Sequence, residues 1–261
     1  MSASSIAVIG GGRAGGSLAR TPGITVRVLV HRDLRVNTAP RAPWRECALV
    51  VLAVPDDALG GVARALASLA FLPPLVVHMS GALGPSVLLP LLAERGVSIG
   101  TFHPLASLDG KGRIPVKTLV AVDARARIPK LTRAVLAQLS AMAKRMKLAP
   151  AHVPEDKRAL YHAGAVVAGN LPVALLAYGV RLLVDAGVPE HVARASLARL
   201  LASQADNAIA APLARALTGP VARGDTGTIA RHLAALDAAH PEIAAVYREL
   251  TAVLERLLSR S

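Results

Sequence analysis

Two residue classes are almost missing from this chain: aromatic side chains make up 2% of its 261 residues, and cysteine occurs once, at Cys47. A single thiol rules out an intramolecular disulfide and a cysteine-based metal cluster, and its place just before an apolar run marks it as a small buried side chain. The scarcity of aromatics removes the platforms on which single-stranded nucleic acid stacks. The eight histidines are dispersed and never stand at His-x-x-x-His spacing, so no metal site is expected. There is no Gly-x-Ser-x-Gly elbow and no Gly-Lys-Ser/Thr phosphate loop. Nor does the N-terminus show the basic, apolar and cleavage segments of a signal peptide, which makes a cytoplasmic protein the expectation.

Hydrophobic residues are 53% of the chain and charged residues 18%, a balance that excludes a disordered polymer and allows a large buried core. Alanine and leucine take the space that aromatics leave, which suits helical packing. The formal net charge is +13, yet the arginines are scattered from Arg13 to Arg260. A dispersed positive field of this kind suits phosphorylated cofactors and carboxylate substrates better than a nucleic-acid or membrane surface.

The most informative stretch is SIAVIGGGRAGGSLA, residues 5–19, where an apolar β-run passes into a glycine loop. Gly10, Gly12 and Gly15 stand at the G-x-G-x-x-G spacing, with Ile6 to Ile9 as the strand before them and Ala14 to Arg20 able to open a helix. In the dinucleotide fingerprint one glycine makes a tight turn, one lets the backbone approach a pyrophosphate, and one lets helix pack on strand. Gly10, Gly12, Arg13, Ala14 and Gly15 are therefore expected to hold a dinucleotide at a helix N-terminus.

A second strand is read over residues 24–33. An acidic residue at its end would grip the ribose of NAD, whereas this chain offers Val30, His31 and Arg32. Arg32, helped by His31 or Arg13, suits a 2'-phosphate, so NADP(H) is expected over NAD(H). A longer strand would instead hand the acidic role to Asp33. Residues 47–59 read as a strand buried on both faces, with Ala53, Val54 and Pro55 bordering the cofactor and Asp56 and Asp57 as helix caps. Further strands are expected over 75–83, 97–108 and 118–124, and helices over 58–69 and 131–146. Ser80, Gly81, His103 and Pro104 then come to one rim of the sheet.

After Pro154 the alternation of strands gives way to long periodic apolar segments. The expected architecture is α/β, with a Rossmann doubly wound sheet over residues 1–153 and an all-helical domain over 154–261. One long helix from about Glu155 to Ala186 is apolar nearly all round, which reads as a buried helix or a subunit interface rather than a membrane span. His162 and Asn170 lie eight residues apart on it, separated by about 80° around its axis, and are expected to face one interdomain cleft. At residues 218–228, Asp225 is placed to cap a helix, and Arg223 to reach an anionic substrate.

Taken together, SIAVIGGGRAGG, LAVPDDAL, HMSGAL, FHPLASL, ALYHAGAVVAGN and ALTGPVARGD resemble a bacterial family of Rossmann-like proteins. Its members carry a C-terminal helical domain of unassigned function, within the 6-phosphogluconate dehydrogenase-like superfamily. Relatives there include ketopantoate, pyrroline-5-carboxylate and prephenate-type reductases and dehydrogenases. The resemblance implies hydride transfer between a nicotinamide and a small carboxylate substrate bearing a carbonyl, imine or hydroxyl group. It also implies homodimers formed through the helical domain.

His103-Pro104 resembles the His-Pro motif of prephenate dehydrogenases, with Ser80 in the assisting place, although Ser107 stands where that pattern has glycine. His103 is thus the expected acid/base, since an ordinary imidazole titrates near neutral pH. Ser80 is expected to orient substrate or nicotinamide. Hydroxyacid dehydrogenases of the superfamily place a lysine and an asparagine on the interdomain helix; here no lysine follows Lys157, and His162 with Asn170 takes that place. The rival reading is a dinucleotide-binding regulator or scaffold without turnover.

Overall fold

The computed structural model describes residues 5–30, 47–69 and 71–259, which form two compact units divided between Gly169 and Asn170. That division falls later than residue 153, because the first helix after the sheet groups with the sheet. His31, Arg32 and Asp33 lie outside the described residues.

The first unit holds strands β1 (Ser5–Ile9), β2 (Thr25–Val30), β3 (Leu49–Leu52), β4 (Leu75–His78), β5 (Ser98–Pro104), β6 (Leu119–Arg125) and β7 (Ala149–His152). They make one sheet in the order β2-β1-β3-β4-β5-β6-β7. β1 to β5 are mutually parallel, β6 runs antiparallel to β5, and β7 runs parallel to β6. Helices α1 (Arg13–Ala19), α2 (Leu59–Ala67), α3 (Leu89–Leu92), α4 (Pro129–Arg145) and α5 (Arg158–Gly169) complete the unit.

Parallel strands need crossover helices on both faces, and so read as unbroken apolar runs. Ile6, Val8, Val51 and Val77 pack on one side with Leu18 of α1 and Val135, Leu139 and Met142 of α4. Ala7, Ile9, Val50, Leu52 and Val76 pack on the other with Leu59, Ala63 and Leu66 of α2 and Leu92 of α3. Each such side chain, once fully buried, contributes roughly 1.5–3 kcal/mol. β7 has no apolar run to announce it: Ala149-Pro150-Ala151-His152 is a short edge strand carrying a proline, which only an edge tolerates.

The reversal from β5 to β6 is made by residues 105–118, which fold over α1. Ser17 Oγ accepts from the Gly110 N–H at 3.1 Å, and Thr21 Oγ1 accepts from the Ile114 N–H at 3.0 Å. Ser17, Thr21 and Ile114 are all buried, so these bonds satisfy groups that water cannot reach.

The second unit contains α6 (Leu171–Asp185), α7 (Glu190–Ala210), α8 (Leu213–Ala216), α9 (Thr226–Ala239) and α10 (Pro241–Leu258). Its small core is Leu236, Ile243 and Ala244, packed with Tyr178, Leu182 and Tyr247. Asp225 caps α9 as expected, its Oδ1 accepting from the Thr228 N–H at 2.9 Å.

The single helix expected from Glu155 is corrected to a 3-10 turn over Glu155–Lys157, then α5, then α6, with Asn170 at the break. Pro172 explains the break, since it lacks the N–H that would continue the ladder. The buried character is corrected too. Glu155–Asp185 is long and apolar enough to cross a membrane, with a mean hydropathy of 1.6, yet none of its most apolar window is buried. Leu160, Val167, Leu171, Val173 and Leu175 are exposed.

Thr21→Val removes the acceptor for the buried Ile114 N–H and keeps the side-chain shape. It is expected to lower unfolding free energy by about 1–3 kcal/mol in denaturant titration, whereas Thr21→Ser retains most of it.

Candidate functional site

The glycine loop has two of the properties that its spacing predicts, the tight turn and the close packing, and leaves room for the third. Gly10 has φ +106°, and a Cβ there would collide with the Ala53 carbonyl. Gly15 sits so close to the sheet that a Cβ would strike the Gly10 carbonyl. Gly12, at the N-cap of α1, has nothing within 4 Å of where its Cβ would be. Two glycines are therefore demanded by packing within the chain, and the third is not. Its open side is the cradle that a phosphate-bearing group would fill, so the loop fits a dinucleotide.

Arg13 and Ala14 follow Gly12 at the start of α1, with Arg13 exposed. Ala53 and Val54 touch the loop: the Ala53 N–H donates to the Ile9 carbonyl at 2.7 Å, and Val54 lies beside Gly10. Pro55 is exposed and leads into the turn over Asp56–Ala58. Neither aspartate caps that turn, which corrects the expectation of helix caps. Asp56 Oδ2 instead accepts from Ser80 Oγ at 2.9 Å. Ser80 Oγ in turn accepts from the Leu83 N–H at 3.0 Å, so its one proton is committed inside the protein.

Beyond β4 the backbone is shaped by His78, which is fully buried. Its Nε2 meets the Gly84 carbonyl at 3.0 Å and its Nδ1 meets the Ser80 N–H at 3.2 Å. A carbonyl can only accept and an N–H can only donate, so His78 is a neutral ring protonated at Nε2. Burial above all holds its pKa down to about 4 from the ordinary 6.5, and the Arg158 guanidinium adds to this.

At the end of β5, His103 Nδ1 lies 2.8 Å from Tyr161 Oη, with the rings edge to face at 89°. Its Nε2 lies against Gly81, together with His162 of α5. A Cβ on Gly81 would come within 2.8 Å of His103 Nε2 and of His162 Cδ2. The near-neutral imidazole expected at His103 is corrected: burial first, then Arg158 and His162, hold its pKa down to about 4. At pH 7 it is a neutral ring. Tyr161 is pushed the other way, its phenol pKa raised by burial while Arg158 pulls it back.

Under this pair lies a residue that sequence reading passed over. Arg158 is 1% exposed and the bulkiest of the fully buried side chains. Its Nη2 donates to Thr101 Oγ1, and its guanidinium carbon stands 5.9 Å from the centre of the Tyr161 ring. Nε and Nη1 find no acceptor among the described residues. Burial lowers its pKa, opposed by Asp123, Tyr161 and Glu155. Asp123 faces Thr101 across the β5–β6 ladder, and its Oδ1 accepts from His152 Nε2 at 3.1 Å. Glu155 accepts from Ser86 Oγ and lies 3.3 Å from Arg125 Nε. Asp123 and Glu155 also line a cavity of about 980 Å³ where β6 and β7 end.

Asn170 and Arg223 belong to the second unit and are exposed. His162 is half-buried, so it and Asn170 are not a buried pair, and the break at Asn170 means that they do not share one continuous helix. A signal for the missed residues was present. Arg158 and Tyr161 stand at i, i+3, which puts them on one face of a helix, and Tyr161 is one of only three tyrosines.

Two buried histidines with depressed pKa values have a definite linkage sign. Above pH 6.5 folded and unfolded chains are both neutral there, and the stability is fully present; as pH falls from 6.5 to about 4 only the unfolded chain takes up protons, and stability is lost. For His78 the loss at pH 4 is expected to be roughly 3 kcal/mol. Denaturant midpoints measured from pH 7.5 to 4 should fall less steeply in His78→Gln than in the unaltered protein.

Two family models match the chain, and the second runs across the boundary between the units. Residues 31–104 match the model of a Rossmann-like domain, and residues 128–253 match that of a domain of unknown function, DUF2520. No curated protein matches the chain in sequence. Among solved structures, protein TM1727 from Thermotoga maritima superposes with a TM-score of 0.74 at 19% identity, over 98% of each chain. BF3122 from Bacteroides fragilis, a candidate NADP oxidoreductase, gives 0.68 at 20% identity over 97% of this chain and 98% of its own. A 1-pyrroline-5-carboxylate reductase from Streptococcus pyogenes gives 0.62 at 14% identity over 98% of each. The chain therefore carries a match to a Rossmann-like domain followed by a match to the domain of unknown function DUF2520.

Proposed function

We propose that this protein is a nicotinamide-dinucleotide oxidoreductase that prefers NADP(H) and acts on a small carboxylate bearing a carbonyl, imine or hydroxyl group. The observation that carries the reading is the glycine loop, where Gly10 and Gly15 are required by the chain's own packing and Gly12 is free for a ligand. The fold shared with a 1-pyrroline-5-carboxylate reductase supports the same class of reaction. So does the fold of a Plasmodium falciparum pyrroline carboxylate reductase with NADP bound, at 12% identity and a TM-score of 0.57.

Gly10, Gly12, Arg13, Ala14 and Gly15 would hold the pyrophosphate, with Ala53, Val54 and Pro55 alongside. A nicotinamide dinucleotide bound there supplies or takes the hydride. The preference for a 2'-phosphate rests on Arg32, His31 and Arg13 and the absence of an acidic residue at positions 30–32. His103, with His162 beside it, handles the proton of the substrate's heteroatom, and Ser80 bonded to Asp56 holds the turn on which Gly81 meets both rings. Arg223 is proposed to reach the substrate carboxylate.

We assign the apolar faces of α6 and α7 to a homodimer. Between these helices runs an open apolar groove of about 260 Å³ lined by Pro172, Leu175, Leu176, Leu197, Leu200 and Leu201. Exposed leucines in contiguous rows mark a contact surface.

The test is a fluorescence titration of nucleotide-stripped protein with NADPH and NADH. NADPH is expected to bind more tightly, and Gly12→Val to weaken it about tenfold or more while leaving thermal unfolding unchanged, since the new side chain fills space open in the protein. Arg32→Ala should weaken NADPH and spare NADH. Unaltered NADPH binding in Gly12→Val would remove the loop from the cofactor site, and binding without turnover of any oxo or imino acid would favour the regulator.

A further inference from the structure

The site contains a conflict that its own neighbours resolve. A histidine that acts alone as proton donor must pass through its imidazolium form, and His103 is enclosed where that form is disfavoured. Facing it are Arg158 and Tyr161 of the polypeptide leading into and along α5, His162 one residue further, Asp56 after β3, and His78 at the end of β4. Arg158 and His162 both oppose a positive ring, and burial opposes it most. The carboxylate of Asp56 favours it, but that group already accepts from Ser80.

We infer that Tyr161 and the buried guanidinium of Arg158 form a proton relay with His103, in which the Tyr161 hydroxyl donates to Nδ1 and fixes the ring as the Nε2–H tautomer aimed at Gly81. The inference rests on the proposed role of His103 and extends it to two residues that the reading of the sequence did not include.

The geometry has three parts. Tyr161 Oη is 2.8 Å from Nδ1, a full hydrogen bond, and the edge-to-face rings hold it in place. The opposite nitrogen, Nε2, is the one against Gly81 and His162. Behind the phenol stands Arg158, whose Nε and Nη1 lack acceptors among the described residues. A buried cation with unmatched donors is costly, and it is relieved when negative charge develops nearby.

The relay balances. When the Nε2 proton leaves for a substrate oxygen or nitrogen, the Tyr161 O–H bond breaks and an Nδ1–H bond forms. The ring is neutral before and after, and the negative charge comes to rest on Tyr161 Oη, facing Arg158. Solvent later supplies a proton to Nε2 while the Nδ1 proton returns to Tyr161 Oη, which restores the resting tautomer. The imidazolium that burial and Arg158 disfavour is never occupied, and the same Arg158 stabilises the phenolate. Tyr161 and Arg158 act through His103 and are positioning residues. The ordinary raising of a buried phenol's pKa keeps Tyr161 protonated and able to donate at rest.

The test needs no cofactor and no substrate. Long-range proton–nitrogen NMR of the ¹⁵N-labelled full chain at pH 7.5 reports the tautomer of each histidine, and His103→Gln assigns the signal. The expected result is Nε2–H at His103 in the unaltered protein and a mixture of both tautomers in Tyr161→Phe, with thermal unfolding little changed. In Arg158→Met the His103 titration midpoint should rise towards the ordinary value, and Arg158→Lys should restore the low midpoint. Because Arg158 is buried, its variants also change stability, so the Tyr161→Phe comparison decides by itself. An Nδ1–H ring in the unaltered protein, or the same tautomer with and without the Tyr161 hydroxyl, would overturn the relay. Failure of NADPH to bind is a separate result that bears on the oxidoreductase reading and leaves the tautomer where the spectrum puts it.

Discussion

A parallel sheet buried on both faces leaves polar chemistry only the ends of its strands, and the first unit is arranged around that constraint. From Ile6 on, every position of β1, β3 and β4 is occupied by an apolar side chain or, at His78, by a ring whose two nitrogens are both satisfied by backbone. The glycine loop, Ala53–Pro55, Ser80–Gly81 and His103 consequently gather where β1, β3, β4 and β5 finish. Backbone closeness reinforces this: Gly15 against the Gly10 carbonyl and Gly10 against the Ala53 carbonyl bring α1 down onto the strand ends, which no side chain would permit.

Among the described residues, Arg158 is the most deeply buried charge that breaks the rule. It lies at the level of Thr101, and it bears on His78, His103 and Tyr161. A cation in that place costs several kcal/mol unless matched, and the nearest carboxylates, Asp123 and Glu155, are each engaged with other partners. The result is an electrostatic bias rather than an ion pair. It adds to the burial that keeps two imidazoles neutral, and it offsets part of what burial costs a negative charge on Tyr161. A chain that needed only stability would fill the same space with leucine, so the guanidinium points to chemistry at the end of β5.

The helical unit follows another logic. Its core is small, α6 buries none of its residues, and leucines and valines stand exposed along α6 and α7. Such surfaces are unfavourable in water, and in a chain with so few aromatics they are built from aliphatic side chains whose hydrophobic contribution depends on area alone.

Much of the fold was legible in the residues themselves. Apolar runs mark the five parallel strands, four of them running on to a nearby glycine or proline, and the G-x-G-x-x-G spacing announces the tight turn at Gly10 and the close packing at Gly15, because strand burial and glycine's missing Cβ are local properties. The cap at Asp225 was legible for the same reason. What only the tertiary structure decided depends on groups far apart in sequence. Asp56 meets Ser80 rather than the turn beside it, β7 pairs at an edge without an apolar signature, and His103 is stripped of its ordinary pKa by Arg158 and by burial. A sequence carries the chemistry of an imidazole, but the free energy of charging it is set by how much water and which charges surround it, and these exist only once the chain has folded.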